Sequence, residues 1–245
     1  MNTPEPTIRA CQDCGQQFQS TPLVYNGQVL AFARYCEACV ERHDRAKASE
    51  RDRREVARLA EAWERICPPL YRDTDPDRLE CSPAARAAIL EWQFGPRGLL
   101  VHGPARQGKT RLVYLLLHRL HFTERRKIAA LTSNAFSHQV SVLFGEGGGK
   151  GEAFVDELTK VPVLFIDDIG KGRLTDRVES EFFHVIETRT AHLRPTILTT
   201  NLTAQGLRSM WSADRAEPLL GRFQEFFQTV TVLGAGDSPT QEATT

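Results

Sequence analysis

Residues 103–110 read Gly103-Pro104-Ala105-Arg106-Gln107-Gly108-Lys109-Thr110. They lie between an apolar run, 98–102, and an amphipathic run, 112–117. This order predicts a strand, a phosphate-binding loop and a helix, because the spacing G-x-x-x-x-G-K-[ST] lets backbone N–H groups surround phosphate oxygens at a helix N-terminus. We expect all eight residues to bind a nucleoside triphosphate such as ATP, Lys109 to reach its β- and γ-phosphates, and Thr110 to bind Mg²⁺. The alternative is an ordinary Gly-rich turn.

Two further runs are predicted strands that lead into polar residues. The first, 161–166, is apolar without alternation, which suits a buried parallel strand, and Asp167 and Asp168 follow it. The second, 195–200, is a short β run that Asn201 follows. Parallel sheets place ligands at the carboxyl ends of their strands. We therefore expect Asp167 to hold Mg²⁺ and Asp168 to orient and polarise an attacking water molecule. A cap of a helix or loop is the alternative for Asp168.

Four of the six cysteines form two C-x-x-C pairs, with roughly twenty residues between the pairs. These are Cys11, Cys14, Cys36 and Cys39. The spacing is that of a zinc ribbon, in which four thiolates complete a closed tetrahedral Zn²⁺ site with a structural role. Gly15 and Asn26-Gly27 suit the turns of such a module. Cys67 and Cys81 belong to no motif and are expected to be buried or idle thiols.

Composition restricts the classes of partner. Lys and Arg together number 31, as do Asp and Glu, so the chain has no overall basic field, and any contact with nucleic acid must come from local patches. No apolar stretch is long enough to span a bilayer, and the N-terminus lacks the basic and apolar regions of a signal peptide. We expect a cytoplasmic protein without a membrane partner.

The chain divides into four predicted parts. Residues 1–42 form the zinc-ribbon module, and residues 43–67, dense in both charge signs, form a linker helix that ends before Pro68. Residues 68–234 form the nucleotide-binding domain, and 235–245 form a disordered polar tail. Within the domain, Ser82 begins a helix that continues to Phe94, Ser133-Asn134 caps a later helix, and the glycine-rich stretch 145–151 is a mobile loop.

The three nucleotide-handling motifs carry a family resemblance. The loop at 103–110, the sequence I-D-D-I-G at 166–170 and the strand end T-T-N at 199–201, in this order and at these intervals, resemble the AAA+ ATPases of the DnaC/DnaI helicase-loader and IstB transposition-helper group. The resemblance implies that Asn201 is sensor 1, which helps to hold the attacking water near the γ-phosphate. Residues 219–223 resemble the family's arginine-finger segment, which implies that Arg222 acts across a subunit interface. Arg208, Arg215 and Arg189 are alternatives.

The resemblance covers roughly residues 70 to 233 and implies an α/β fold. We predict an AAA+ P-loop NTPase domain with a parallel five-stranded sheet in the order 5-1-4-3-2, flanked by helices and followed by no C-terminal lid, with a small zinc-binding module ahead of it. In the DnaI-type arrangement such a module contacts the replicative helicase.

The resemblance implies an ATP-hydrolysing DNA-replication helicase loader, with ATP, Mg²⁺ and Zn²⁺ as cofactors. Its expected partners are a replicative helicase, single-stranded DNA and, on ATP binding, further copies of itself. An IstB-like ATPase that assists a transposase is the nearest alternative. A small-molecule P-loop phosphotransferase and a zinc-centred nucleic-acid adaptor with a vestigial nucleotide site are alternatives from other classes.

Overall fold

The computed structural model describes residues 5–25, 28–170 and 175–234. The chain forms two compact units, Met1–Ala60 and Glu61–Thr245. Helix α1, Glu37–Ile66, covers the predicted linker helix except for its last residue, Cys67, and begins six residues earlier. The predicted turn at Asn26-Gly27 and the predicted tail at 235–245 lie outside the described residues.

The first unit is built from two short antiparallel hairpins and most of α1. Its strands are β1 Thr7–Ala10, β2 Gln17–Ser20, β3 Pro22–Tyr25 and β4 Gln28–Phe32. Strand β1 pairs with β2, and β3 pairs with β4. The buried cluster of this unit consists of three cysteines, packed by Phe18 and Tyr35. So few apolar side chains give little hydrophobic stabilisation, which is the situation in which small modules depend on a metal.

The described residues of the second unit include one parallel sheet of five strands. Its strands are β5 Gly98–His102, β6 Ile128–Thr132, β7 Val163–Ile169, β8 Thr196–Thr200 and β9 Phe227–Thr231. They lie in the order β6-β7-β8-β5-β9 and all pair in parallel. When the five strands are renumbered 1 to 5 along the chain, so that β5 is strand 1 and β9 is strand 5, this order is 2-3-4-1-5. Taken from the other edge of the sheet it is 5-1-4-3-2, so the predicted strand order is confirmed.

Helices cover both faces of the sheet. They are α2 Pro69–Arg72, α3 Pro83–Leu90, α4 Lys109–Phe122, α5 Ser133–Glu146, α6 Lys150–Lys160, α7 Asp176–Ala191, α8 Ala204–Met210 and α9 Ala213–Phe226, with a 3₁₀ turn at Pro76–Arg78. Successive strand residues point to opposite faces. Leu100 and Leu198 therefore join one buried cluster, while Leu99 and Ile197 join the other. No helix among the described residues is long and apolar enough to cross a membrane.

Three predictions about local structure were wrong: the end of α3, the loop at 145–151 and the cap of α5. Helix α3 ends at Leu90 rather than Phe94. The predicted mobile loop at 145–151 is mostly helical, because three consecutive glycines at 147–149 adopt positive φ angles and reverse the chain between α5 and α6 within a few residues. Helix α5 is capped by the hydroxyl of Thr132, which accepts from the N–H of Ala135, rather than by the predicted Ser133-Asn134.

The side chain of Arg189, on α7, is fully buried at the end of the sheet where β7 and β8 begin. Its guanidinium donates to Oγ1 of Thr196 and to the carbonyl oxygens of Leu158, Val161, Pro162 and Pro195. Burial, with a smaller contribution from the nearby Arg194, lowers the pKa of Arg189 to about 9. Because the side chain is enclosed, Arg189 is unavailable as an arginine finger.

Replacement of Arg189 by Met should lower the free energy of unfolding by about 3 kcal/mol, because it leaves buried carbonyl oxygens without donors. Urea unfolding followed by circular dichroism measures the loss. The matched control is Arg177→Met on the same helix, because the side chain of Arg177 is 60% exposed where it pairs with Glu181, and its loss should change stability by less than about 1 kcal/mol. Equal losses in the two variants would contradict the structural role of Arg189.

Candidate nucleotide site and cysteine centre

The loop at 103–110 connects β5 to α4 in a conformation that depends on glycine. Gly103 has φ 145° and Gly108 has φ 79°. A Cβ atom at position 103 would lie 2.0 Å from the carbonyl oxygen of Val232, so only glycine fits there. Gly108 is the N-cap of α4, and the unpaired N–H groups of that helix's first turn therefore face the loop. This geometry suits a bound phosphate chain.

Lys109, the first residue of α4, brings distant parts of the chain together. Its Nζ donates to the carbonyl oxygens of Gly103 (2.8 Å) and Pro104 (2.7 Å) and to Oδ1 of Asn201 (2.6 Å). The side chain is buried. The predicted phosphate-binding lysine and the predicted sensor residue are therefore neighbours.

Two predicted Mg²⁺ ligands lie side by side. Oγ1 of Thr110 donates to Oδ1 of Asp167 at 2.8 Å. Burial raises the pKa of Asp167, while hydrogen bonds from Thr199 and Thr110 act in the opposite direction. Carboxylate and hydroxyl oxygens are the hard ligands that Mg²⁺ prefers. The residues present thus fit the metal that the loop motif predicts.

Asp168, the second residue of the acidic pair, contacts Asn201. Nδ2 of Asn201 donates to Oδ1 of Asp168 at 3.0 Å, so Asp168, Asn201 and Lys109 form a continuous chain of contacts. Asp168 has φ 62°, which is uncommon for a residue other than glycine. The structure brings together five predicted residues at the carboxyl end of the sheet: Lys109, Thr110, Asp167, Asp168 and Asn201.

Sequence reasoning missed two residues that hold the acidic pair. The hydroxyl of Thr199 donates to Oδ1 of Asp167 and accepts from the N–H of Asp168. The hydroxyl of Ser133 donates to the carbonyl oxygen of Asp168 at 2.9 Å. The buried strand β8, TILTT, contains three threonines, and these hydroxyls were an available signal, since buried polar groups require partners.

The structure does not show Arg222 in contact with these residues. Its Nη2 lies 2.5 Å from Oε1 of Glu187 on α7, and its guanidinium lies 5.8 Å from the ring of Phe226. The other two alternatives also form ion pairs, Arg208 with Glu217 and Arg215 with Glu179. The side chain of Arg222 is 39% exposed, which leaves it accessible from outside the subunit.

The four predicted zinc ligands converge in the first unit. The Sγ atoms of Cys11, Cys14, Cys36 and Cys39 all lie within 4.8 Å of one another. The sulfurs of Cys14 and Cys36 are 3.6 Å apart, which is too long for a disulfide bond of about 2.05 Å. It is close to the edge of about 3.8 Å in a tetrahedron with Zn–S bonds of about 2.3 Å. The cluster therefore fits a zinc ion.

Residues around the cluster support its geometry. Gly15 has φ 74° and donates to the carbonyl oxygen of Cys11, which forms the first turn. The second cysteine pair lies at the start of α1, where Arg42 donates to Sγ of Cys39 at 2.8 Å. The assignment to a zinc ribbon stays a prediction. Cys67 and Cys81 are buried in the second unit, as expected for thiols without a motif.

A comparison with known families identifies the nucleotide-binding unit. The sequence profile of the bacterial DnaA ATPase domain matches residues 83–225, which include the loop, the acidic pair, Asn201 and Arg222. The chain belongs to the bacterial DnaA ATPase-domain family. This DnaA-type domain has the P-loop fold that the AAA+ resemblance implied. No curated protein matches the chain.

Three solved structures illustrate the similarity of fold. The DnaC helicase loader has a TM-score of 0.56 at 20% identity, over 67% of this chain and 99% of that one. DnaI has a TM-score of 0.51 at 19% identity, over 71% and 94%. DnaA bound to AMPPCP and single-stranded DNA has a TM-score of 0.53 at 18% identity, over 67% and 50%. The chain spans only 44% of the length of the first two solved structures that it matches.

The cysteine cluster leads to a prediction about metal content. The purified protein should contain one zinc ion per chain, measured by inductively coupled plasma mass spectrometry, and Cys39→Ser should lose most of it, because a closed site needs all four ligands. Cys67→Ala is the matched control, since Cys67 is equally buried and lies outside the cluster. Retention of zinc by Cys39→Ser, or its loss from the control, would contradict the assignment.

Proposed function

We propose that the chain is an ATP-hydrolysing helicase loader, which recruits or loads a replicative helicase on single-stranded DNA in the cytoplasm. The observation that carries the proposal is the continuous set of contacts from Lys109 through Asn201 to Asp168. It joins a phosphate-binding group, a polar sensor and a carboxylate at one point, as hydrolysis of a terminal phosphate requires. The fold of the DnaC helicase loader, which this chain covers almost completely in length, supports the loader assignment.

Each residue of the site has a proposed role. Backbone N–H groups of the loop and the ammonium of Lys109 bind the β- and γ-phosphates. Thr110 and Asp167 hold Mg²⁺, which neutralises charge on the phosphate oxygens when bound. Asp168 orients the attacking water and accepts its proton, and Asn201 holds that water in line with the γ-phosphorus.

Arg222 completes the site from a neighbouring subunit. A guanidinium beside the γ-phosphate stabilises the charge that develops on the transferring phosphoryl group. Arg222 lies on α9 with a partly exposed side chain, so a second copy of the chain has access to it. The proposal therefore includes assembly of the subunits on ATP binding.

The assignment of partners follows the division of the chain. Residues 1–42 form the zinc module that contacts the helicase, 43–67 form the linker, and 68–234 form the ATPase that contacts single-stranded DNA. The similar fold of DnaA bound to AMPPCP and single-stranded DNA supports the DNA contact.

A mixing experiment tests catalysis across an interface. Lys109→Ala and Arg222→Ala should each lower the ATPase rate by about 100-fold or more, since one removes a phosphate contact and the other the arginine finger. An equimolar mixture should regain part of the activity, because an intact site of one variant meets an intact Arg222 of the other. For wild type, the number of ATP molecules hydrolysed per chain per second should rise with protein concentration, because assembly completes the site.

The control is Arg208→Ala, because Arg208 also forms an exposed ion pair. It should hydrolyse ATP like wild type. Full activity of Arg222→Ala, or an inactive mixture, would exclude Arg222 as the finger. A hydrolysis rate per chain that does not change with protein concentration would favour the phosphotransferase alternative.

Affinity capture with the full chain tests the partner. Tagged wild type should recover the hexameric replicative helicase of its host, whereas Cys11→Ser should not, because the zinc module then loses its fold. Lys109→Ala leaves that module intact and should still recover the helicase. Recovery of a transposase instead would overturn the loader assignment in favour of the IstB-like alternative.

A further inference from the structure

The register between β7 and β8 is irregular at the acidic pair. Ile166 pairs with Leu198 and Ile169 pairs with Thr200, so two residues of β7 lie opposite the single residue Thr199. This is the arrangement of a β-bulge, which bends a strand and leaves one residue outside the ladder. The extra residue is Asp168, and its φ of 62° accounts for the local change of direction.

The bulge changes the directions in which the side chains of Asp167 and Asp168 point. In a regular strand, successive side chains point to opposite faces of the sheet, so Asp167 and Asp168 would diverge. Here both face the nucleotide site, since Asp167 contacts Thr110 and Asp168 contacts Asn201. In this structure the irregular register of β7 brings both carboxylates to the same side.

A bulge also leaves a backbone N–H group without its ladder partner, which is costly where the strand is buried. The hydroxyl of Thr199 accepts from the N–H of Asp168 at 2.7 Å. It donates its only hydrogen to Oδ1 of Asp167. The Thr199 side chain is 1% exposed. One buried hydroxyl therefore holds the backbone of one acid and the side chain of the other.

We propose that Thr199 is a positioning residue of the ATPase site: its hydroxyl stabilises the bulge in β7 and thereby sets Asp167 and Asp168 relative to each other. This inference rests on the proposed hydrolysis of ATP. Thr199 touches neither nucleotide nor metal in this role. It acts through the metal ligand and the residue that orients water.

Thr199→Val removes the hydroxyl and keeps the shape of the side chain. The N–H of Asp168 then loses its bond to this hydroxyl and Asp167 loses one of its donors, so the two acids are held less firmly relative to each other, although Thr110 still donates to Asp167 and Asn201 to Asp168. The half-saturating concentration of Mg²⁺ should rise, and kcat should fall, each by about 10-fold or more, as is typical for loss of a group that orients a metal ligand. Thr199→Ser retains the hydroxyl and should stay within about 3-fold of wild type.

The matched control is Thr200→Val. Thr200 is also fully buried on β8, and its hydroxyl donates to the carbonyl oxygen of Ile169 and accepts from the N–H of Leu202. It contacts neither acid through these bonds. Thr200→Val should lower stability in thermal unfolding as much as Thr199→Val does, while the Mg²⁺ dependence stays at the wild-type value.

Two measurements separate this inference from the proposed function. The first is the Mg²⁺ dependence of kcat. The second is the factor by which Mg²⁺ raises the affinity for a fluorescent ATP analogue, compared with binding in EDTA. Binding in EDTA should be equal in wild type, Thr199→Val and Thr199→Ser, and the Mg²⁺ effect should be lost in Thr199→Val alone.

An unchanged Mg²⁺ dependence in Thr199→Val, equal losses in Thr199→Val and Thr199→Ser, or the same shift in Thr200→Val would each overturn the role of Thr199. If wild type binds the analogue with a Mg²⁺ effect but does not hydrolyse ATP, the proposed function fails, and the binding measurement still decides the role of Thr199.

Discussion

The position of β8 between β5 and β7 is the constraint on which the candidate site depends. Its register places Thr199 beside Val101 and Thr200 beside His102, at the point where β5 enters the phosphate-binding loop. On the other side, β8 pairs with the strand that carries the acidic pair. Asn201, directly after β8, therefore reaches both Lys109 and Asp168. No local interaction within one segment would bring these groups together.

The opposite end of the sheet is stabilised by a different interaction. Arg189 is a buried cation surrounded by carbonyl oxygens and the hydroxyl of Thr196. These dipoles replace the water that a guanidinium loses on burial, and its planar array of donors reaches several chain segments at once. Through the carbonyl oxygens of Pro162 and Pro195, Arg189 connects the segments from which β7 and β8 begin.

The two units reach stability by different means. The second unit buries two large apolar clusters, one on each face of its sheet. Among the described residues of the first unit, the buried apolar cluster consists of three cysteines, with Phe18 and Tyr35 beside them. A metal bound by the four thiolates of this cluster would supply folding free energy that such a small core lacks.

The sequence by itself determined the strand, loop and helix around Lys109, the strand that ends in Asp167 and Asp168, and the paired cysteines, because each is a local pattern with a physical requirement for those residues. With the family resemblance it also predicted the strand order. The extent of α3 and the tight turn at 147–149 were missed because packing and glycine φ angles set them. Only the tertiary structure decided the bulge and the contacts of Thr199 with Asp167 and Asp168, since the register between β7 and β8 joins residues about thirty positions apart and depends on how the whole sheet pairs.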